Sequence, residues 1–197
     1  NNPDVVLPER DVDKANQILN DAGYPRGSDG IRFKTVFTTF AVPVTIDLAE
    51  TLKEQLKDVG VDVEIKALEV GTLFELVNRK KDFEMATQAG NHGPDPSQLN
   101  DYFMPGAFRN YYQYENPRVT ELLTAGLETT DTEERKQIYF EVQEILLEDM
   151  PRINFAQFIR HHITAKDFHG FWWEPGTASE IPQNSLANVW WEGGEER

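Results

Sequence analysis

Hydrophobic positions along this chain change period several times, and each change marks an element. Over residues 11–22, Ala15, Ile18, Leu19 and Ala22 recur at helical spacing, with Gly23 as the natural stop. The turn cluster YPRGSDG follows. In IRFKTVFTTF the period becomes two, with Ile31, Phe33, Thr35 and Phe37 on one face and Arg32, Lys34 and Val36 on the other, which predicts a strand. Residues 44–59 return to helical spacing through Val44, Leu48, Leu52, Leu56 and Val59, and Gly60 ends them. VDVEIKA alternates again, Val61, Val63 and Ile65 against Asp62, Glu64 and Lys66. GTLFELVNRK reads as a short helix, and FEMATQA as a third strand, apolar and short enough to be central.

An order of strand, helix, strand, helix, strand implies parallel pairing through right-handed crossovers. Two strong helices follow. Asn116 caps the first with Pro117 at its first position, and Val119, Leu122, Leu123 and Leu127 form its stripe. Thr130 or Asp131 caps the second, with Glu133 or Glu134 closing a capping box. Ile138, Tyr139, Val142, Ile145 and Leu146 are its inner face, and Pro151 stops it. RINFAQFIRHHIT predicts one or two further strands. From Lys166 the chain turns aromatic and irregular, in FHGFWWEP and NVWWEGGEER.

Composition narrows the functional classes. The 197 residues are 39% hydrophobic, enough for one sizeable core. With 34 acidic against 19 basic residues, the formal charge of −15 repels nucleic acid and anionic membranes. The acidic residues are spread along the helices, as on a solvated surface. Without cysteine, disulfides, thiolate nucleophiles and Cys-ligated metals are excluded. No apolar run of about 18 residues predicts a membrane span. NNPDVVLPERDVDKANQ has neither an initiator Met nor a signal-peptide pattern, and it reads as the middle of a longer chain.

The sequence holds no GxGxxG, Walker loop, GxSxG elbow or HExxH. His161 and His162 are adjacent, so on a strand they point to opposite faces and cannot share a metal. His169 lies in the aromatic tail. His92 and Asp95 are the one acid–base pair close together on a loop, and no nucleophile stands beside them. Their loop, GNHGPDPSQL, follows a strand, and in open α/β sheets ligands sit beyond the carboxyl ends of strands. TFAVP, after the first strand, occupies such an end too. The aromatic pairs Tyr111–Tyr112, Trp172–Trp173 and Trp190–Trp191 read as core or interface before binding platform.

Four segments, in order, resemble the bacterial extracellular solute-binding proteins of family 5, the dipeptide-, oligopeptide- and nickel-type binding proteins of ABC importers. DVDKANQILNDAGYPRGSDGIRF carries Asp13, Lys14, Ala15, Ile18, Leu19, Ala22, Gly23, Tyr24, Pro25 and Gly27 at the family's positions. AETLKEQLKDVGVDVEI is similar to its next helix and strand. DFEMATQAG with PDPSQL resembles its strand and ligand loop, and YENPRVTELLTAGLETTDTEERKQIYFEVQEILLEDMPRI its tandem helices. The resemblance covers residues 11 to about 165 and implies an α/β periplasmic-binding-protein type II lobe, three-layered, with a central mixed sheet flanked by helices. It divides the chain into a hinge-proximal segment (1–10), a ligand-binding second lobe (11–165) and an aromatic tail (166–197) running towards the missing first lobe.

The implied function is capture of a small solute, peptide or other, and delivery to an ABC permease complex. The implied place is the periplasm or cell exterior, with a lipid anchor an option in the full-length protein. No enzyme activity, cofactor, metal or nucleic acid is expected. The expected ligand contacts are Thr39, Phe40, Ala41, Asn91, His92, Asp95 and Asn110. One departure bears on the ligand. Where peptide-binding members have Gly-Trp and then an Asp for the peptide's amino terminus, this chain has Ala89 and Gly90, then Asn91 or His92. A His does not pair with an ammonium group as a carboxylate does. Nickel-, opine-, sugar- and other solute-type ligands stay open. The rival readings are a ligand sensor of the same fold and an α/β hydrolase or transferase using His92 and Asp95.

Overall fold

The computed structural model describes residues 2–90, 95–155, 165–169 and 189–192. At its centre are β1 (Phe33–Phe40), β2 (Val61–Leu68) and β3 (Met85–Ala86), hydrogen-bonded in the order β2–β1–β3. Both pairings are parallel. β1 runs beside β2 from Phe33 opposite Val61 to Phe40 opposite Leu68, and meets β3 at Phe37–Met85 and Thr38–Ala86. Among the described residues the middle strand is β1, and β3, expected to be central from its apolar run, stands at the end of the row. Only Met85 and Ala86 of FEMATQA pair; before them, Glu84 accepts hydrogen bonds from the Val36 amide and the Thr35 hydroxyl, both at 2.8 Å. A carboxylate thus takes the place of a partner strand along that part of β1.

β1 reaches β2 through α2 (Pro43–Lys57). β2 returns past β1 to β3 through α3 (Val70–Phe74) and a wider π-helical segment, Glu75–Lys80. Right-handed crossovers that run in opposite directions put their helices on opposite faces. Burial agrees: Phe37, Thr38 and Thr39 are successive on the strand and at most 2% exposed, so both faces of β1 are covered. On one face Phe37, Ala49, Val61 and Val63 form a core. Val44, expected in the α2 stripe, is exposed, and the methyl of Ala49 is the buried group of that helix.

The opening helix, α1 (Val12–Asp21), begins where Asp11 accepts from the Lys14 amide and ends before Gly23, whose φ of +87° favours glycine. Its predicted apolar stripe is not a core face. No α1 residue is buried, and Ile18 is exposed. Polar ties hold it instead: Arg26 donates to Asn16 Oδ1 and to the Asp58 carbonyl, while Arg32 donates to Asn16, to Asn20, to the Tyr24 carbonyl and to the Val59 carbonyl.

A 3-10 turn, Pro96–Leu99, leads into α4 (Asn100–Phe103), and then come α5 (Pro117–Glu128) and α6 (Thr132–Asp149). Asn116 caps α5 through the Arg118 and Val119 amides, and Asp131 caps α6 through the Glu134 amide. Tyr102, Phe103, Val119, Leu122, Leu123, Tyr139 and Val142 form a second core. Leu127 is exposed; Gly126 takes the inner position, where a Cβ would lie 2.8 Å from the Tyr139 ring. After α6, residues 151–155 form no strand, and the rest of the expected strand region, with His161 and His162, lies outside the described residues.

In the tail, β4 (Phe168–His169) pairs antiparallel with β5 (Trp190–Trp191). His169 stacks on Trp190 at 4.6 Å and meets Glu192 at 3.0 Å. Trp190 and Trp191 are each 54% exposed, so neither indole is a core group; Trp172 and Trp173 lie outside the described residues.

Candidate functional site

With strand order 2–1–3, the chain reverses its direction of progress across the sheet between β1 and β3. Beyond the carboxyl ends of strands at such a reversal, the flanking loops part and leave a crevice. One lip is Thr39–Val42, leaving β1 for α2. The other is the segment after β3, which includes Gln88–Gly90. A hydroxyl pair ties the lips at their base, Thr39 Oγ1 to Thr87 Oγ1 at 2.7 Å, and the Thr87 amide donates to the Thr38 carbonyl at 3.0 Å.

The expected contact residues fall into three groups. Thr39 is fully buried and also donates to the Thr45 carbonyl at 3.3 Å, so its hydroxyl is committed within the protein. The Phe40 carbonyl accepts from the Thr45 hydroxyl, and the Ala41 amide donates to the Leu68 carbonyl. Ala41 itself is exposed on the lip. Asn110 is 1% exposed and spent on its own loop: its amide nitrogen donates to the Met104 and Tyr114 carbonyls, and its oxygen accepts from the Tyr114 amide.

Asp95 caps the 3-10 turn through the Ser97 amide and pairs in bidentate fashion with Arg135 of α6, at 2.7 and 3.0 Å. The hydrogen bonds from Arg135 and Ser97 hold its carboxyl well below the usual range. Arg135 also donates to the Gly126 carbonyl, so this one ion pair fastens the end of the loop to the α5–α6 hairpin. Asn91 and His92 lie outside the described residues.

A second set of side chains gathers beside the same lip. Asn78, 5% exposed, sits in the π-helical segment and accepts from Gln88 at 2.8 Å. Wider π-helical turns re-aim side chains and recur at functional sites. Next to Asn78 stands Tyr111, whose hydroxyl is pushed up chiefly by burial. The Tyr102 hydroxyl lies so close to Gly90 that a Cβ there would approach it to 2.5 Å. Arg109 donates to that hydroxyl at 3.1 Å, and the guanidinium carbons of Arg109 and Arg152 lie 5.4 and 4.7 Å from the Tyr102 ring centre. Sequence reasoning named Tyr111 only as one of a pair, and it named none of Asn78, Gln88, Tyr102, Arg109 and Arg152. FRNYYQYENP held the available signal: an Arg against paired aromatics in an acidic chain. Among the described residues no group of His, Asp or Glu is arranged to hold a metal ion.

This fold, a parallel sheet flanked by helices and reversing its order between β1 and β3, is that of the periplasmic binding proteins. The described elements superpose on the ABC transporter-associated periplasmic binding protein DppA of Helicobacter pylori, solved with the peptide STSA. The TM-score is 0.75 at 23% identity, over 98% of this chain and 37% of that one. Residues 1–111 match the family described as bacterial extracellular solute-binding proteins, family 5 Middle, and the chain belongs to that family. Protein XP55 of Streptomyces lividans is 30% identical over 165 residues, 77% of this chain and 29% of that protein. The glutathione-binding protein GsiB of Salmonella typhimurium is 26% identical over 189 residues, 89% of this chain and 36% of that protein. The chain thus spans about a third of the length of the curated relatives it matches.

Proposed function

We propose that this chain is the ligand-binding second lobe of the solute-binding component of an ABC importer. It works outside the cytoplasmic membrane, closes with a first lobe on a small solute, and hands that solute to a membrane permease. The observation that carries this reading is the reversal of strand order between β1 and β3, with Ala41, Gln88 and Gly90 exposed beyond the carboxyl ends of those strands, in a chain of this family. Backbone of Thr39–Ala41 forms one wall and Gln88–Gly90 the other; Asn91, His92 and Asp95 follow Gly90 in the sequence and are the proposed further contacts. Asn110 and the Asp95–Arg135 pair hold the loop before α5 and the end of the loop after β3 in place. Among the described residues no helix is long and apolar enough to cross a membrane.

The hydrolase reading needs Asp95 to orient or relay protons for His92. A carboxylate held by a bidentate guanidinium and by the Ser97 amide is committed to structure, which disfavours that role. A thermal-shift screen of solutes on a chain carrying both lobes tests the proposal, alongside turnover assays on ester and phosphoester substrates. A solute that stabilises the protein and emerges unchanged is the expected result. Turnover without ligand stabilisation would sink it. Half a cleft buries less of a solute than a whole one, so the 197-residue chain is expected to bind the same solute far more weakly.

A further inference from the structure

We infer that Arg109, oriented by the Tyr102 hydroxyl, forms an anion subsite beside Gly90, so that the solute presents a carboxylate to this side of the sheet's carboxyl edge. The inference rests on the solute-binding reading for its biological sense, but the subsite can be tested without knowing the solute. A guanidinium offers a planar fork of N–H donors matched to a carboxylate. Of Arg109's donors, one goes to the Tyr102 hydroxyl at 3.1 Å, and no carboxylate among the described residues pairs with the side chain. Arg109 is half-buried, so its orientation is held by the Tyr102 ring and hydroxyl rather than left to solvent.

Position and charge support the same occupant. Gly90 is exposed, and its lack of a side chain is what lets the Tyr102 hydroxyl reach the lip. Any side chain there would close the approach. Arg152, over the rings of Tyr102 and Phe103 at 4.7 and 5.3 Å, adds a second positive charge to the same cluster. Both guanidinium groups face the one ring, in a chain of formal charge −15. At about 0.15 M salt the acidic surface is screened beyond roughly 8 Å, so the Arg109 charge acts at contact range beside Gly90.

The test uses acetate and acetamide as probes, followed by NMR through the Arg109 Nε–H and the Gly90 amide. Acetate is expected to shift both resonances in a saturable way, and acetamide to leave them. In Arg109→Gln the Gly90 response to acetate should vanish with the melting temperature unchanged, and Arg109→Lys should restore part of it. For any solute found by the screen, the free acid should bind about tenfold or more tightly than its amide, and Arg109→Gln should erase that preference. Equal responses to acetate and acetamide, or an acetate response that survives Arg109→Gln, would overturn the subsite and leave Arg109 as a packing partner of Tyr102. That result would not touch the solute-binding reading, which stands or falls on the screen.

Discussion

The β1–α2–β2 unit and the α5–α6 hairpin solve the same problem by different means. The first spreads its core thinly: Phe37, Val61 and Val63 sit under a single buried helix methyl, Ala49, and an eight-residue parallel ladder sets their register. The second concentrates its core between two capped helices and two aromatic side chains of α4. Its outer face is laced by Arg118 and Glu141, paired at 2.7 and 3.0 Å. The sheet unit leaves its carboxyl edge open, and the lips of the crevice grow from that edge. The hairpin is closed on itself and works as a buttress, holding Asp95 through Arg135 and seating Tyr102 against the loop. The comparison assigns position to the sheet and support to the helices.

The sharpest way to break it is to empty each core in turn. Phe37→Ala should cost about 3–5 kcal/mol, and Leu123→Ala about 2–5 kcal/mol, because each side chain is nearly or fully buried. Urea denaturation followed by circular dichroism reads both. Their effects on binding should part. At temperatures where each variant stays folded, Phe37→Ala should weaken solute binding, since β1 carries Thr39–Ala41 to the lip. Leu123→Ala should leave affinity close to the parent's. Equal losses of affinity would show that the two regions do not divide position from support.

A smaller effect sharpens the same division. Asn110→Ala strips partners from two carbonyls and one amide in the loop before α5, and should cost about 1–3 kcal/mol for the groups left unsatisfied. Thr39→Val removes the hydroxyl that ties β1 to Thr87 and should cost about 1–2 kcal/mol. Thermal melts measure both, and Thr39→Val should also loosen the lips and raise the solute Kd. A Thr39→Val protein with unchanged melting temperature and unchanged Kd would show that the hydroxyl pair does not set the crevice.

What could be read from the sequence follows the same line. β2 was legible because Val61, Val63 and Ile65 alternate cleanly with charged residues, and α5 because Asn116 and Pro117 announce it. The stripe of α1 misled, because hydropathy carries no sign of the Arg26 and Arg32 ties that replace a buried face. Val44 misled because it stands in the first turn of α2, while Ala49 is too small for its hydropathy to stand out. The carboxyl ends of β1 and β3 were legible, since TFAVP and the start of GNHGPDPSQL follow strands. The cluster of Asn78, Gln88, Tyr102, Arg109 and Tyr111 was not. Its members come from four separate segments, and no spacing in the sequence brings them together.

The smallest effect tests how the buttress grips the loop. The Asp95 carboxyl is held below its ordinary value of 3.8, first by the Arg135 hydrogen bond and then by Ser97. A depressed carboxyl contributes stability that is complete above the unfolded value and is lost as pH falls towards the folded one. The side chains of Arg135 and Asp95 are 27% and 52% exposed, so solvent screening limits the pair to roughly 0–1 kcal/mol. Glu84, Glu141 and Asp149 are lowered as well and add loss of the same sign on acidification, so the pair must be isolated by difference. Asp95→Asn keeps an oxygen for the Ser97 amide but carries no charge at any pH. The stability of the parent minus that of Asp95→Asn should be positive at pH 6 and shrink as the pH falls below about 5. Denaturant melts at closely spaced pH values would follow it. A difference that stays flat from pH 6 to about 2.5 would mean that Asp95 acts through its turn alone, and that α6 does not hold the loop by charge.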